Sequence, residues 1–283
     1  MEERIYNQRY EQDLDGAGRK FFIYAPPLKG VRPSKRVPPQ APYSDAEPYK
    51  ISVYYYWWQY LRRSKLYKRT CENNGKGKLA KLYADFGNVW DDKGNELDTF
   101  WHWWTNHSYL FCEPTNRKLE EVSVWNTETS EDEMVIRVPL EMRSAFLVKQ
   151  FRRLLTSNKQ RVEKAREKSR ALYPVQSKVP LKSLHQHLLV YDAINETKLG
   201  YEEIANLEHI KRSVYISDSV LIDETLKPSD RYLTLSLMQP SDNQYKYVSN
   251  IIARRKRQAI YRHKVACEEY IANVEKGLFP IRK

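Results

Sequence analysis

Tyr54-Tyr55-Tyr56-Trp57-Trp58-Gln59-Tyr60-Leu61 is answered later in the chain by Phe100-Trp101-His102-Trp103-Trp104, and the architecture turns on whether these rings are buried or exposed. All seven tryptophans lie between Trp57 and Trp125. A large ring removes much apolar surface from water when buried, so a block this dense predicts a small, rigid core. The same composition makes a stacking platform for unpaired bases. Two features separate these readings. Val53, Trp57, Tyr60, Leu61 and Ser64 recur at three- and four-residue steps, the spacing of one helix face. The half of the chain that holds the block is nearly neutral, with 21 Lys+Arg against 20 Asp+Glu in residues 1–140. A stacking platform sits in a positive groove, so most of the block reads as core. The Arg62-Arg63 edge is the part of the block where a nucleic-acid contact is still expected.

Upstream of the block, residues 1–49 read as an extended Pro-rich arm. Pro26, Pro27, Pro33, Pro38, Pro39, Pro42 and Pro48 break any helix, and Lys29, Arg32, Lys35 and Arg36 add cations. Such an arm is either a flexible leader or ordered on a protein partner. Downstream, Leu79, Leu82, Tyr83 and Phe86 mark a short helix stopped at Gly87. Thr99 is the expected N-cap of a helix that carries Trp101 and Trp104 to about Phe111. Val122 and Val124, then Met134, Ile136 and Val138, alternate around the polar run 126–133, predicting a β-hairpin over 119–140. Residues 141–172 return to helical spacing with ten Lys+Arg against three Asp+Glu, a basic helix whose apolar stripe fades beyond Thr156. Residues 173–180, closed by Pro180, read as a linker. The fold class expected is mainly α with one small β-hairpin. It comprises an aromatic-core helical domain over 50–172 and a helix-turn-helix-like domain over 181–283.

The second half carries the charge. Residues 141–283 hold 27 Lys+Arg against 16 Asp+Glu, which accounts for nearly all of the net charge of +12. An asymmetry of this kind favours a polyanionic partner. Leu181, Leu184, Leu188, Tyr191 and Ile194 define an amphipathic helix, a loop follows, and Tyr201-Glu202-Glu203-Ile204-Ala205 opens a second helix. Ile204 and Ala205 would tuck against the first, as at the start of many helix-turn-helix domains. In place of a tight turn and recognition helix come the residues from His209 to Pro240. A long helix is then expected from Ser241, capped through Gln244, to Gly277. Val248, Ile252, Ala259, Ala266, Tyr270 and Val274 are its core stripe.

Arg254, Arg255, Lys256 and Arg257 are consecutive, circle the long helix and cannot all be buried. With Arg262 and Lys264 they are the expected phosphate contacts, and Asn243, Gln244, Lys246 and Ser249 at the helix start the expected base readers. Arg161, Lys164, Arg166 and Lys168 on the preceding basic helix, with Arg62 and Arg63, complete the expected nucleic-acid-binding set. Duplex DNA is the favoured partner and RNA the second. Charge reversal of residues 254–257 is expected to abolish binding without unfolding the protein.

Three elements together, Trp-Trp-x-Tyr-Leu-Arg-Arg (57–63), Phe-Trp-x-Trp-Trp (100–104) and Asn-Val-x-x-Gly-x-Phe-Pro (273–280), resemble a group of uncharacterised bacterial proteins associated with mobile elements and phages. The resemblance covers most of the chain beyond the arm. It implies a DNA-linked accessory or regulatory role, and it carries no catalytic residue.

Other chemistry is poorly represented. His102 and His107 lie off one helical face, and His185 and His187, two apart, point away from each other, so no metal-ligand set with Cys or acid emerges. Gly75-Lys76-Gly77-Lys78 lacks the spacing of a P-loop. No nucleophile–base pair is visible, so neither enzymatic activity nor a cofactor is expected. Cys71, Cys112 and Cys267 form no CxxC pair, which suits a reducing cytoplasmic setting. The amino terminus lacks a signal-peptide pattern and no run approaches membrane length, so no membrane partner is expected. The alternative to a nucleic-acid binder is a structural or interaction subunit of a larger nucleoprotein or phage-defence assembly.

Overall fold

The computed structural model describes residues 12–14, 18–20, 22, 24–30, 41–112, 134–162, 171–175, 180–222, 224–225, 227 and 231–280. In chain order the elements are β1 (Gln12–Leu14), β2 (Gly18–Lys20), α1 (Val53–Arg63), α2 (Lys65–Glu72), α3 (Ala80–Phe86), α4 (Glu96–His107), α5 (Ser144–Ser157), α6 (Leu181–Glu196), α7 (Tyr201–Asn206), α8 (Glu208–Ser213), β3 (Ser219–Leu221), β4 (Tyr232–Thr234) and α9 (Tyr245–Val274). The structure is mainly helical, with strands among the described residues only as antiparallel pairs: β1 with β2, and β3 with β4 in the register Ser219↔Thr234. No described helix is long and apolar enough to cross a membrane.

The chain divides into two compact units, Met1–Pro26 with Trp104–Gln176, and Pro27–Trp103 with Ser177–Lys283. These units cut across the expected order of 50–172 and 181–283, because the partners of the aromatic run lie near the end of the chain.

In the larger unit the aromatic run is α1. Ser52 caps it, its Oγ accepting from the Tyr54 amide at 3.3 Å, and every residue from Val53 to Leu61 is buried. A helix that is apolar all round has to be surrounded by other elements. Ser64 ends α1 and caps α2, its Oγ accepting from the Tyr67 amide at 2.8 Å. The Trp57 ring packs against Phe86 and Phe279, the Trp58 ring against Phe100 and Trp103, and the Tyr60 ring against Tyr270 and Phe279. Tyr60 donates to the Leu184 carbonyl at 2.9 Å, so one side chain ties α1 to both α6 and the end of α9. Full burial of rings this size contributes roughly 2–3 kcal/mol each.

Gly87 stops α3 as expected, at φ +61°, and its carbonyl accepts from the Tyr67 hydroxyl at 2.6 Å. After α9, Gly277 takes φ +72° and the Leu278 amide reaches back to the Asn273 carbonyl at 2.9 Å. That reversal returns Phe279 to the core, where it is fully buried.

The same unit builds two further buried clusters from its later helices. Val190 and Ala193 of α6, Ile204 and Ala205 of α7, Ile210 of α8 and Ile260 of α9 form one buried cluster. Val220 of β3 with Val248 and Ile252 of α9 forms another. The long helix expected from Ser241 begins at Tyr245, with Ser241 in the turn before it.

In the smaller unit, Trp104 packs on Phe22 and Phe111, and the Tyr173 amide donates to the Leu110 carbonyl at 3.0 Å. Thr99, expected as the N-cap of α4, lies inside it. Asn95 does the capping, its side chain accepting from the Asp98 amide at 2.8 Å, while the Thr99 hydroxyl donates to the Asn95 carbonyl at 2.6 Å. The expected hairpin over 119–140 lies mostly outside the described residues, and its described part, 134–140, is not a strand. Of the helix expected over 141–172, α5 and a further turn at 159–162 are described, and residues 163–170 lie outside.

Candidate nucleic-acid interface

The thirty residues of α9 contain no acid before Glu268. Its core face, Val248, Ile252, Ile260, Ala266, Tyr270 and Val274, is buried; of the polar residues in its first five turns, Ser249, Arg255 and Lys256 are half-buried and the others are exposed or half-exposed.

The run Arg254–Arg257 does not act as one patch. Arg255 donates to the Ser219 carbonyl at 2.6 Å and holds β3. Lys256 donates to Asn206 at 2.7 Å and Arg257 to Glu202 at 2.8 Å, fastening α7. Of the four, only Arg254 is both exposed and, among the described residues, without a partner. Consecutive residues point about 100° apart around a helix, so a run of four must serve several neighbours at once.

The exposed face runs along a different row. Lys246, Asn250, Arg254, Gln258 and Arg262 follow at four-residue steps, and all five are exposed. They alternate cation, amide, cation, amide, cation, rising about 6 Å per step. Among the described residues none of them has a partner inside the protein. Beside the row stand Tyr247 and Tyr261, 61% and 53% exposed. Asn250, Gln258 and the two tyrosines do not stand out in the sequence. The signal that could have found them is the four-residue polar period opposite the core stripe.

Other expected contacts are placed differently. Asn243 and Gln244 are exposed in the turn before α9. Lys264 is drawn toward Glu268 at 3.7 Å, and the Glu268 carboxylate followed by the Tyr201 hydroxyl raises its pKa. Arg161 is exposed in the smaller unit, and Lys164, Arg166 and Lys168 lie outside the described residues. Arg63 is committed to a two-pronged ion pair with Asp192 of α6 and also donates to the Gln59 carbonyl at 2.9 Å. Burial works against its charge, yet the hydrogen bond and field of Asp192 leave its pKa above the ordinary value. Arg62 lies over the Trp58 ring, 4.5 Å from its centre, and burial followed by the charge of Arg63 lowers its pKa. The Arg62-Arg63 edge is therefore fastened to the protein itself.

A second polar cluster joins α1, α4 and the turn Pro48–Lys50. The Glu96 carboxylate receives Lys50 at 2.9 Å, Tyr55 at 2.8 Å, Tyr49 at 3.2 Å and Gln59. Burial pushes its pKa up, but the hydrogen bonds from Lys50 and Tyr55 prevail and hold it low. Its acceptor positions are taken up by structure. His185 and His187 do point apart: His185 packs against Tyr43 and Tyr56, and His187 meets His263 with Nδ1 atoms 2.8 Å apart. Among the described residues no group of three or more His, Cys, Asp and Glu is arranged to hold a metal ion.

Compared with protein-family models, with curated proteins and with solved structures, this chain matches none.

Proposed function

We propose that this protein binds nucleic acid through the outward row of α9, acting as an accessory or regulatory protein in a bacterial mobile-element or phage setting and in the cytoplasm. The observation that carries the reading is the row Lys246–Asn250–Arg254–Gln258–Arg262. Three cations without internal partners on an acid-free helix face need counter-ions, and a polyanion supplies them with release of its own. Amides between the cations suit contact with base edges or sugars. The packing of Ile204 and Ala205 against Val190, Ala193 and Ile260 supports a helix-turn-helix-like reading of α6 and α7. The short α8 follows α7 after Leu207 and exposes His209, Lys211 and Arg212, side chains of the kind a recognition helix offers to a groove. Duplex DNA is one partner under this reading and RNA another.

Titration of the full-length protein with duplex and single-stranded DNA across salt tests it. Binding that falls steeply with salt is expected, and Lys246→Glu with Arg254→Glu should reduce the salt slope by about one per contact removed. Absence of binding at low salt would sink the proposal. The second reading, a subunit of a nucleoprotein or defence assembly, draws on α5. No residue of that helix is buried, and Phe146, Val148 and Phe151 are exposed.

A further inference from the structure

Tyr247, Arg254 and Tyr261 are seven residues apart in turn, which is close to two helical turns, so they form one straight line along α9. That line lies opposite the buried stripe of Val248, Ile252 and Ile260. Each tyrosine is more than half exposed, at 61% and 53%, and neither ring meets another aromatic or hydrogen-bond partner among the described residues. Tyr215 and Tyr232 of the same unit are also exposed, but neither lies on α9 or in line with a cation of that helix. The tyrosines of α1 and α2 differ. Tyr55, Tyr56, Tyr60 and Tyr67 are buried in ring-to-ring or hydroxyl contacts of the core. Packing therefore accounts for those tyrosines and gives no account of these two.

We propose that the line Tyr247–Arg254–Tyr261 is a stacking rail for unpaired bases, so that α9 takes single-stranded nucleic acid in preference to duplex. This rests on the nucleic-acid reading of α9 given above and goes beyond it in naming the form of the ligand. In a duplex the faces of the bases are covered by their neighbours, and only edges and phosphates remain for a protein to meet. An exposed ring on a convex helix finds a free base face only where a strand is unpaired. Arg254 between the rings neutralises phosphate and can stack through its guanidinium plane. The two tyrosines are separated by about 21 Å of helix rise, a span of about six stacked nucleotides or fewer extended ones. Asn250 and Gln258 flank the line and can reach bases that stacking has turned outward.

The test is anisotropy of the full-length protein with labelled oligothymidylate of about twenty nucleotides, free or annealed to oligoadenylate. Single strand is expected to bind at least tenfold tighter than duplex. Tyr247→Leu with Tyr261→Leu should weaken single-strand binding by on the order of tenfold per ring, whereas Tyr247→Phe with Tyr261→Phe should retain it. Thermal unfolding of all variants should match the parent, since the rings are exposed. Equal or tighter duplex binding that ignores the leucine variants but is lost in Arg254→Glu would overturn the stacking rail and leave the nucleic-acid reading standing. No binding to either form removes both. Weak binding to both forms, together with capture of a protein through these tyrosines, would overturn the rail in favour of a protein contact.

Discussion

Single residues in this protein divide by whether their charge is used internally. Arg63 and Asp192 are 23% and 29% exposed and join α1 to α6. Asp192→Asn should lower stability by about 2 kcal/mol in urea unfolding, below the cost for a fully buried pair because water still reaches these groups. Arg63→Met with Asp192→Leu should recover much of that loss, since an apolar pair leaves no charge unpaired. His185 gives a pH effect. Burial, then the nearby Lys50 and Arg63 charges, pushes its pKa down to about 4 from an ordinary 6.5. A folded-state value below the unfolded one means that protons favour the unfolded chain. Its contribution is intact above the unfolded value and is lost as pH falls from about 6.5 to about 4, by at most about 3 kcal/mol before solvent screening. Urea midpoints measured across that window should slope, and His185→Gln should flatten the slope.

At the scale of one element, α9 separates structural from available charge. Arg254→Glu should weaken nucleic-acid binding and leave the melting temperature unchanged. Arg255→Ala should cost about 1 kcal/mol of stability, the typical worth of a lost hydrogen bond, and leave affinity per folded molecule intact. Melting curves run beside binding titrations distinguish the two. Reversal of all four charges at 254–257 should therefore impair folding as well as binding, which departs from the sequence expectation. That expectation takes consecutive cations as one surface, and the tertiary contacts with Ser219, Asn206 and Glu202 are what divide them. Most of the core stripe of α9 is legible in the sequence, because Val248, Ile252, Ala266, Tyr270 and Val274 follow helical spacing, but Ala259, expected with them, is half-buried and Ile260 is buried instead. The outer row obeys the same geometry but lacks the apolar contrast that draws attention to a stripe.

At the scale of the whole molecule, α1 and the end of α9 belong to one core although some two hundred residues separate Trp57 from Phe279. Phe279→Ala should cost about 3–5 kcal/mol, because Trp57, Tyr60 and Tyr270 would line the cavity left behind. For the same reason a fragment limited to residues 181–283 should lose cooperative unfolding: it would present Tyr270 and Phe279 to water without the helix that covers them. Urea unfolding of that fragment beside the full chain measures this, and a sharp transition at the parent's midpoint would contradict the shared core. Binding experiments accordingly need the full chain.

Three properties are readable without any coordinates: the protein is mainly helical, most tryptophans are core, and positive charge collects in the second half. Each of these follows from composition or from periodicity within one segment. Which segments share a core, and which cations remain available, depends on contacts between distant segments. Trp57 finds Phe279, Arg63 finds Asp192, and Arg257 finds Glu202 across long stretches of chain. Such pairings depend on where helices cross in space, and spacing along a single helix carries no record of what lies opposite it.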